Sequence, residues 1–204
     1  MKAGSLLFAV ILLSPSCVWP FTGIESASFL DIPVGARPAA LGSAYSALGR
    51  DAFSSSWNPA GLGFLDSTQL GSMHLAYLES MAYEYVAAAH PIRPGYGLGA
   101  AFQYFRPDDF DATDLSGNRL GSDSASFSGY TLAYGQALNP RLSLGLAGKL
   151  VKARISDASS SGRSLDLGIY YRAAARLTLA VVGANLAGKA RLLGLLRSEW
   201  VKTM

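Results

Sequence analysis

Leu142-Ser143-Leu144-Gly145-Leu146-Ala147-Gly148-Lys149-Leu150 alternates large apolar side chains with small or polar ones. Leucine stands at 142, 144, 146 and 150, and Ser143, Gly145, Ala147 and Lys149 stand between. A period of two belongs to a strand, whose successive side chains leave opposite faces. The same rhythm extends in both directions along the chain. Upstream, Tyr130, Leu132, Tyr134 and Leu138 oppose Thr131, Ala133, Gly135 and Ala137, and Tyr96, Leu98, Ala100, Phe102 and Tyr104 oppose Gly97, Gly99, Ala101, Gln103 and Phe105. Tyr83, Tyr85, Ala87 and Ala89 alternate with Glu84, Val86, Ala88 and His90, and Met73, Leu75 and Tyr77 with His74 and Ala76. Downstream, Leu165, Leu167, Ile169 and Tyr171 oppose Ser164, Asp166, Gly168 and Tyr170, and Leu177, Leu179 and Val181 follow more weakly.

The pattern predicts about seven strands of roughly 9–13 residues, the length a tilted strand needs to cross a bilayer. One face is Leu or Tyr; the other is Gly, Ala, Ser or Thr with an occasional charge. A soluble sandwich would coat its second face with charges, whereas charged residues make up only 15% of this chain, well below the usual quarter. The chain has 204 residues, with 22 Gly and 10 Tyr. The formal net charge of +3 is too small to argue for nucleic acid. Connections also alternate. Ile92–Gly95, Asn139–Arg141 and Ala173–Ala175 are short, Pro107–Ala125 is long and polar, and Ile155–Arg163 is intermediate and Ser-rich. Short turns on one side and longer loops on the other is the outer-membrane arrangement. It puts the turns in the periplasm, the loops outside, Tyr77, Tyr83, Tyr85 and Tyr104 near the outer rim and Tyr96 near the inner one.

Ahead of the strands lies a stretch rich in small residues: Gly35-Ala36-Arg37, Leu41-Gly42-Ser43-Ala44-Tyr45, Asp51-Ala52 and Trp57-Asn58-Pro59-Ala60-Gly61-Leu62. Pro59 fixes its own φ and holds Asn58 out of the helical region, so a turn is expected, with Gly61 at positive φ. Arg37–Gly49 has the small-residue spacing of a short helix, weakened by Gly42 and Gly49.

This stretch resembles the N-terminal signature of the PorV/PorQ family of outer-membrane proteins. It is more distantly similar to the FadL transporters of hydrophobic compounds, which carry an Asp-Ala ahead of an Asn-Pro-Ala-Gly turn. The resemblance covers roughly residues 28–188. It rests on Gly35, Arg37, Gly42, Asp51, Trp57, Asn58, Pro59, Ala60 and Gly61, a structural motif with no catalytic, cofactor-binding or metal role. It implies an all-β fold, an antiparallel transmembrane β-barrel with a short helical plug-like segment in its interior. Arg37, Asp51 and Asn58 are then expected to tie the plug to the wall by hydrogen bonds.

The resulting organisation is a signal peptide at 1–22, a plug-like segment at 23–68, barrel strands at 69–188 and a non-barrel tail at 189–204. Lys2 and the apolar run Leu6–Leu13 have the form of a secretory signal, too short to span a bilayer as a helix. Cys17 fits a lipobox poorly, and if it leaves with the signal the mature chain has no thiol. Arg191–Arg197 reads as a short basic amphipathic helix or a tail. An odd strand count leaves open edges in lipid, each unpaired group costing several kcal/mol, so the chain is expected to be the N-terminal part of a longer barrel, truncated or shifted in frame near residue 190.

Chemistry is thin. Gly95-Tyr96-Gly97-Leu98-Gly99 lacks the strand before it and the helix after it that a dinucleotide loop requires. His74 and His90 stand apart, as polar interior positions rather than metal ligands. Asp108, Asp109, Asp111, Asp114 and Asn118 lack the EF-hand spacing and its bidentate Glu, and read as a solvated loop. Asp166 and Lys149 point inward and are expected to form a structural ion pair. No enzyme activity and no cofactor is expected. The function expected is transport or secretion across the outer membrane of a diderm bacterium. Partners are outer-membrane lipid and either secreted protein cargo or hydrophobic small molecules, with no nucleic acid. The alternatives are a FadL-like channel for hydrophobic small molecules or a soluble exported β protein.

Overall fold

The computed structural model describes residues 29–76, 81–113 and 116–193, with side chains described except at 112, 113, 120 and 187–193. The expected signal segment, Cys17, Tyr77, Asp114 and residues 194–204 lie outside the described residues. Among the described residues, two short helices, α1 (Ala36–Ala40) and α2 (Ser54–Trp57), precede a 3-10 helix at Pro59–Phe64. Nine strands follow: β1 (Gln69–Ala76), β2 (Ala82–Arg93), β3 (Tyr96–Arg106), β4 (Phe110–Thr113), β5 (Arg119–Asp123), β6 (Ala125–Ala137), β7 (Leu142–Ile155), β8 (Ala158–Ala174) and β9 (Leu177–Leu193). Seven of them form one sheet in the order β1-β2-β3-β6-β7-β8-β9, and β4-β5 is a separate ribbon inserted between β3 and β6. Every neighbouring pair is antiparallel. The fold is therefore all-β.

The sheet has one covered and one bare face. On β7, Ser143, Ala147, Lys149 and Val151 are buried while Leu144, Leu146 and Leu150 are exposed. The same inversion holds on β8, where Asp166 and Tyr170 are buried and Leu165, Leu167 and Ile169 are exposed. The N-terminal segment makes the difference. Its Leu62 is fully buried and joins Ala87, Ala89, Ala101, Ala133 and Ala147 in one core. Phe53 stacks on Tyr85 at 5.6 Å and Phe29 packs on Phe127 at 5.7 Å. Each such ring removed from water contributes about 1.5–3 kcal/mol.

Several expectations are corrected here. Tyr83 and Tyr85 are 0% and 1% exposed; they lie beneath the N-terminal segment rather than in an outer aromatic rim. Tyr85 shares a 2.9 Å hydrogen bond with Ser56, and the Tyr83 hydroxyl donates to Gln103 Oε1 at 2.7 Å. His74 and His90 stand on the bare face, not the inner one: His90 alternates with buried Ala87 and Ala89 in β2, and His74 pairs with Glu84 of the same strand. His74 contacts Glu84 at 2.6 Å and His90 contacts Thr68 at 2.7 Å. The stretch Ile155–Arg163 is not a loop, because β7 runs to Ile155 and β8 begins at Ala158. Ser156 takes a φ of 52° to make the tight turn. Pro107–Ala125 contains the β4-β5 ribbon, in which Arg119 pairs with Asp111. At the far end β9 continues to Leu193, so residues 189–193 extend the strand past its expected end at 188 and are not helical.

Candidate functional site

The candidate site is the N-terminal turn and the strand surface that receives it. Asn58 has φ −158° and ψ 102°, the extended conformation that a following proline requires, and Pro59 opens the 3-10 helix. The Asn58 side chain is fully buried and its polar atoms are used on both sides. Its Oδ1 accepts the Ala60 N–H at 3.0 Å, and its Nδ2 donates to the Ser46 carbonyl at 2.9 Å and to the Ile169 carbonyl of β8 at 3.2 Å. One side chain thus closes the turn, holds the preceding loop and anchors both to the sheet.

The sheet accepts the turn because glycines lie beneath it. Gly97 of β3 pairs with Gly135 of β6, Gly135 with Gly145 of β7, and Gly145 with Gly168 of β8. They form one straight row across adjacent strands. A Cβ on Gly97 would fall 2.2 Å from the Leu62 carbonyl oxygen, on Gly135 2.4 Å from the Pro59 oxygen, on Gly145 2.1 Å from the Ala60 nitrogen, and on Gly168 2.1 Å from Asn58 Oδ1. Ser143 beside the row donates its hydroxyl to the Ala60 carbonyl at 2.7 Å. Backbone lies on backbone here, and any side chain in the row would separate them.

The remaining motif residues serve the segment itself. Asp51 Oδ1 accepts the Phe53 N–H at 3.0 Å, and its Oδ2 accepts the Tyr45 hydroxyl. Burial, reinforced by the Asp51 carboxylate, pushes the Tyr45 hydroxyl up to about 12. Arg37 lies 5.8 Å from the centre of the Tyr45 ring. Trp57 sets its ring edge against Tyr45 at 6.2 Å and donates its indole N–H to the Val34 carbonyl at 2.9 Å. Among the described residues, Asn58 is therefore the one of Arg37, Asp51 and Asn58 whose hydrogen bonds reach the sheet. The backbone of Gly35 (φ 93°) donates to the Met73 sulfur at 3.1 Å, and Gly42 (φ 61°) with Ser43 (φ 69°) breaks the expected helix at 37–49 into α1 and a run of turns. Gly61 does not take the positive φ expected of it. It is glycine because a Cβ would fall 2.1 Å from the Gly49 oxygen.

Further along the covered face, Lys149 Nζ meets Asp166 Oδ2 at 2.6 Å, with both side chains almost fully buried. This is the ion pair expected from the sequence. Its second half was not legible there: Asp166 Oδ1 accepts the Asn185 N–H at 2.8 Å. Asn185 has a φ of 55° where the β8-β9 register shifts, so the carboxylate also satisfies a backbone group released by that irregularity. Among the described residues no group of His, Cys, Asp and Glu is arranged to hold a metal ion. In the acidic stretch, Asp109 and Asp111 face Arg106 and Arg119.

The architecture defines an all-β protein whose single large sheet carries a helical N-terminal segment seated in a glycine row. The chain belongs to UPF0164, described as an uncharacterised protein family, whose model matches residues 21–130. That match takes in the whole Asn58–Leu62 turn and, of the glycine row, Gly97 on β3. No curated protein and no solved structure matches the sequence.

Proposed function

We propose that the bare face of the sheet lies against lipid and that this chain is an outer-membrane β-barrel protein of the PorV/PorQ type, serving transport or secretion across the outer membrane. The observation that carries the reading is a continuous apolar band across the bare face of β3, β6, β7 and β8. On β7 the exposed positions are Leu144, Leu146 and Leu150, after which come Lys152 and Arg154. On β8 they are Tyr171, Ile169, Leu167 and Leu165, and then Arg163. In register, Phe102, Tyr130 and Leu150 form one cross-strand row that meets Arg163 on β8, so the border steps inward by one row there, and Tyr104, Ser128, Lys152 and Ser161 form the polar row two residues beyond it. The band spans Leu165–Tyr171 on β8 and Leu142–Leu150 on β7 when half-buried Leu142, the partner of Tyr171, is included, close to the length of a tilted membrane strand. Aromatic rings mark both borders, with Tyr130 and Tyr104 at one and Tyr96 and Tyr171 at the other. The polar Gln136 within the band is satisfied by Tyr134 and Tyr96. An exposed apolar surface of this extent marks a membrane or partner contact. Beneath it, the seated N-terminal segment supports the plug that the Trp57–Leu62 resemblance implies.

Carbonate and urea extraction of membranes tests the lipid assignment. The chain is expected to stay with the membrane and to need detergent for release; recovery as a monomer in buffer would refute it. The FadL-like alternative, passage of hydrophobic small molecules, is separated from protein secretion by labelled fatty-acid uptake set against capture of secreted cargo.

A further inference from the structure

The covered face ends, beyond the glycine row, in a cavity of about 440 Å³ lined by Arg50, Arg141, Tyr170, Arg172 and Thr178 with Pro140, Ala174 and Ala175. Its cations come from three separate parts of the chain: the N-terminal segment, the β6-β7 turn and β8. Arg141 and Arg172 stand directly across from each other, since the Arg172 N–H donates to the Arg141 carbonyl at 2.7 Å. Thr178 pairs with Arg172 on the next strand. Like charges placed opposite each other across strands are unfavourable, and among the described residues no carboxylate lines this cavity or forms a salt bridge with any of the three arginines. Arg172 is further fixed by its guanidinium lying 3.9 Å from the centre of the Phe64 ring, which itself packs on Tyr170.

We propose that this cavity is a binding site for a phosphate-bearing dianion. Guanidinium forks match phosphate oxygens in pairs, the Thr178 hydroxyl adds a donor, and three positive charges suit a dianion better than a single carboxylate. The volume leaves room beside the phosphate for a small organic body against Pro140 and the alanines. The site is independent of the membrane reading, because it stands on the covered face.

The test is calorimetric titration of the full chain in non-ionic detergent with inorganic phosphate, glycerol 3-phosphate and acetate. Saturable binding of the phosphate probes is expected, with acetate about tenfold weaker and with the R141Q/R172Q variant about tenfold weaker than the wild type. Tighter binding of the monoester assigns the remaining volume to an organic body, and equal affinities assign the site to free phosphate; either result upholds the dianion site. If circular dichroism shows R141Q/R172Q misfolded, R50Q on the exposed loop gives the same readout, with binding about threefold weaker. Absence of saturable binding by both phosphate probes, acetate binding as tightly as phosphate, or folded variants binding like the wild type would overturn the proposal.

Discussion

Replacing Gly145 by alanine adds one methyl group to the strand beneath the N-terminal turn. That methyl would sit 2.1 Å from the Ala60 nitrogen and 2.3 Å from the Pro59 carbonyl carbon. Neither neighbour is the end of a flexible side chain, so the turn as a whole must lift. Overpacking of this kind costs about 1–3 kcal/mol, and lifting the turn also breaks the Ser143–Ala60 hydrogen bond, a further loss of about 1 kcal/mol. The expected destabilisation is roughly 2–4 kcal/mol. Gly148, three residues further along β7, provides the control: a Cβ there meets nothing within 4 Å. Gly148→Ala is expected to be neutral or slightly stabilising, since it reduces only the freedom of the unfolded chain. The assay is guanidinium denaturation in detergent, followed by the fluorescence of Trp57 with Trp19 and Trp200 replaced by Phe. If G145A and G148A unfold within about 0.5 kcal/mol of each other, the seating of the turn on the glycine row contributes nothing and the reasoning fails.

Other predictions use the same assay. Asn58→Ala strands the Ala60 N–H and two carbonyls in a fully buried position and should cost about 2–4 kcal/mol; a loss under about 1 kcal/mol would mean that water or another group replaces it. Lys149→Met leaves the Asp166 carboxylate buried without its cation and should cost about 3–5 kcal/mol, and the K149M/D166L double variant should recover much of that, less the Asn185 contact. For Tyr45, the folded hydroxyl titrates near 12 instead of the ordinary 10.0, so its contribution to stability is complete below pH 10 and is lost as pH rises through about 12. Trp57, packed on Tyr45, should therefore keep its emission to about pH 10 and change between there and about pH 12; a change centred well below pH 10, or none, would contradict this.

The strands were legible because alternation is a property of each segment alone, and so was the Lys149–Asp166 pair, two charges on otherwise small-residue faces. The sign of a face was less legible. In β2 alanine occupies both faces, at 87 and 89 and at 88, so the period could not say that Tyr83 and Tyr85 lie under the N-terminal segment. The histidines followed the same error: His90 lies on β2 itself, out of phase with Ala87 and Ala89, and His74 faces Glu84 across the β1-β2 pair. The Asn58-Pro59 turn was readable from backbone chemistry. The glycine row that receives it was not, because Gly97, Gly135, Gly145 and Gly168 become neighbours only after four strands are paired. The role of Gly61 was misread for a related reason: the close approach of Gly49 is tertiary, whereas positive φ is the local reason a glycine is usually needed.

The most direct test of the account places single nitroxide labels on one strand, in a Cys17→Ser background, with the protein in lipid vesicles. Labels at Leu144, Leu146 and Leu150 should be reached readily by oxygen dissolved in the bilayer and poorly by a water-soluble nickel complex, with the preference reversing at Lys152 and Arg154. Labels at 144, 146 and 150 that meet the nickel complex as freely as those at 152 and 154 would show that this face is wet, and the membrane reading would be wrong.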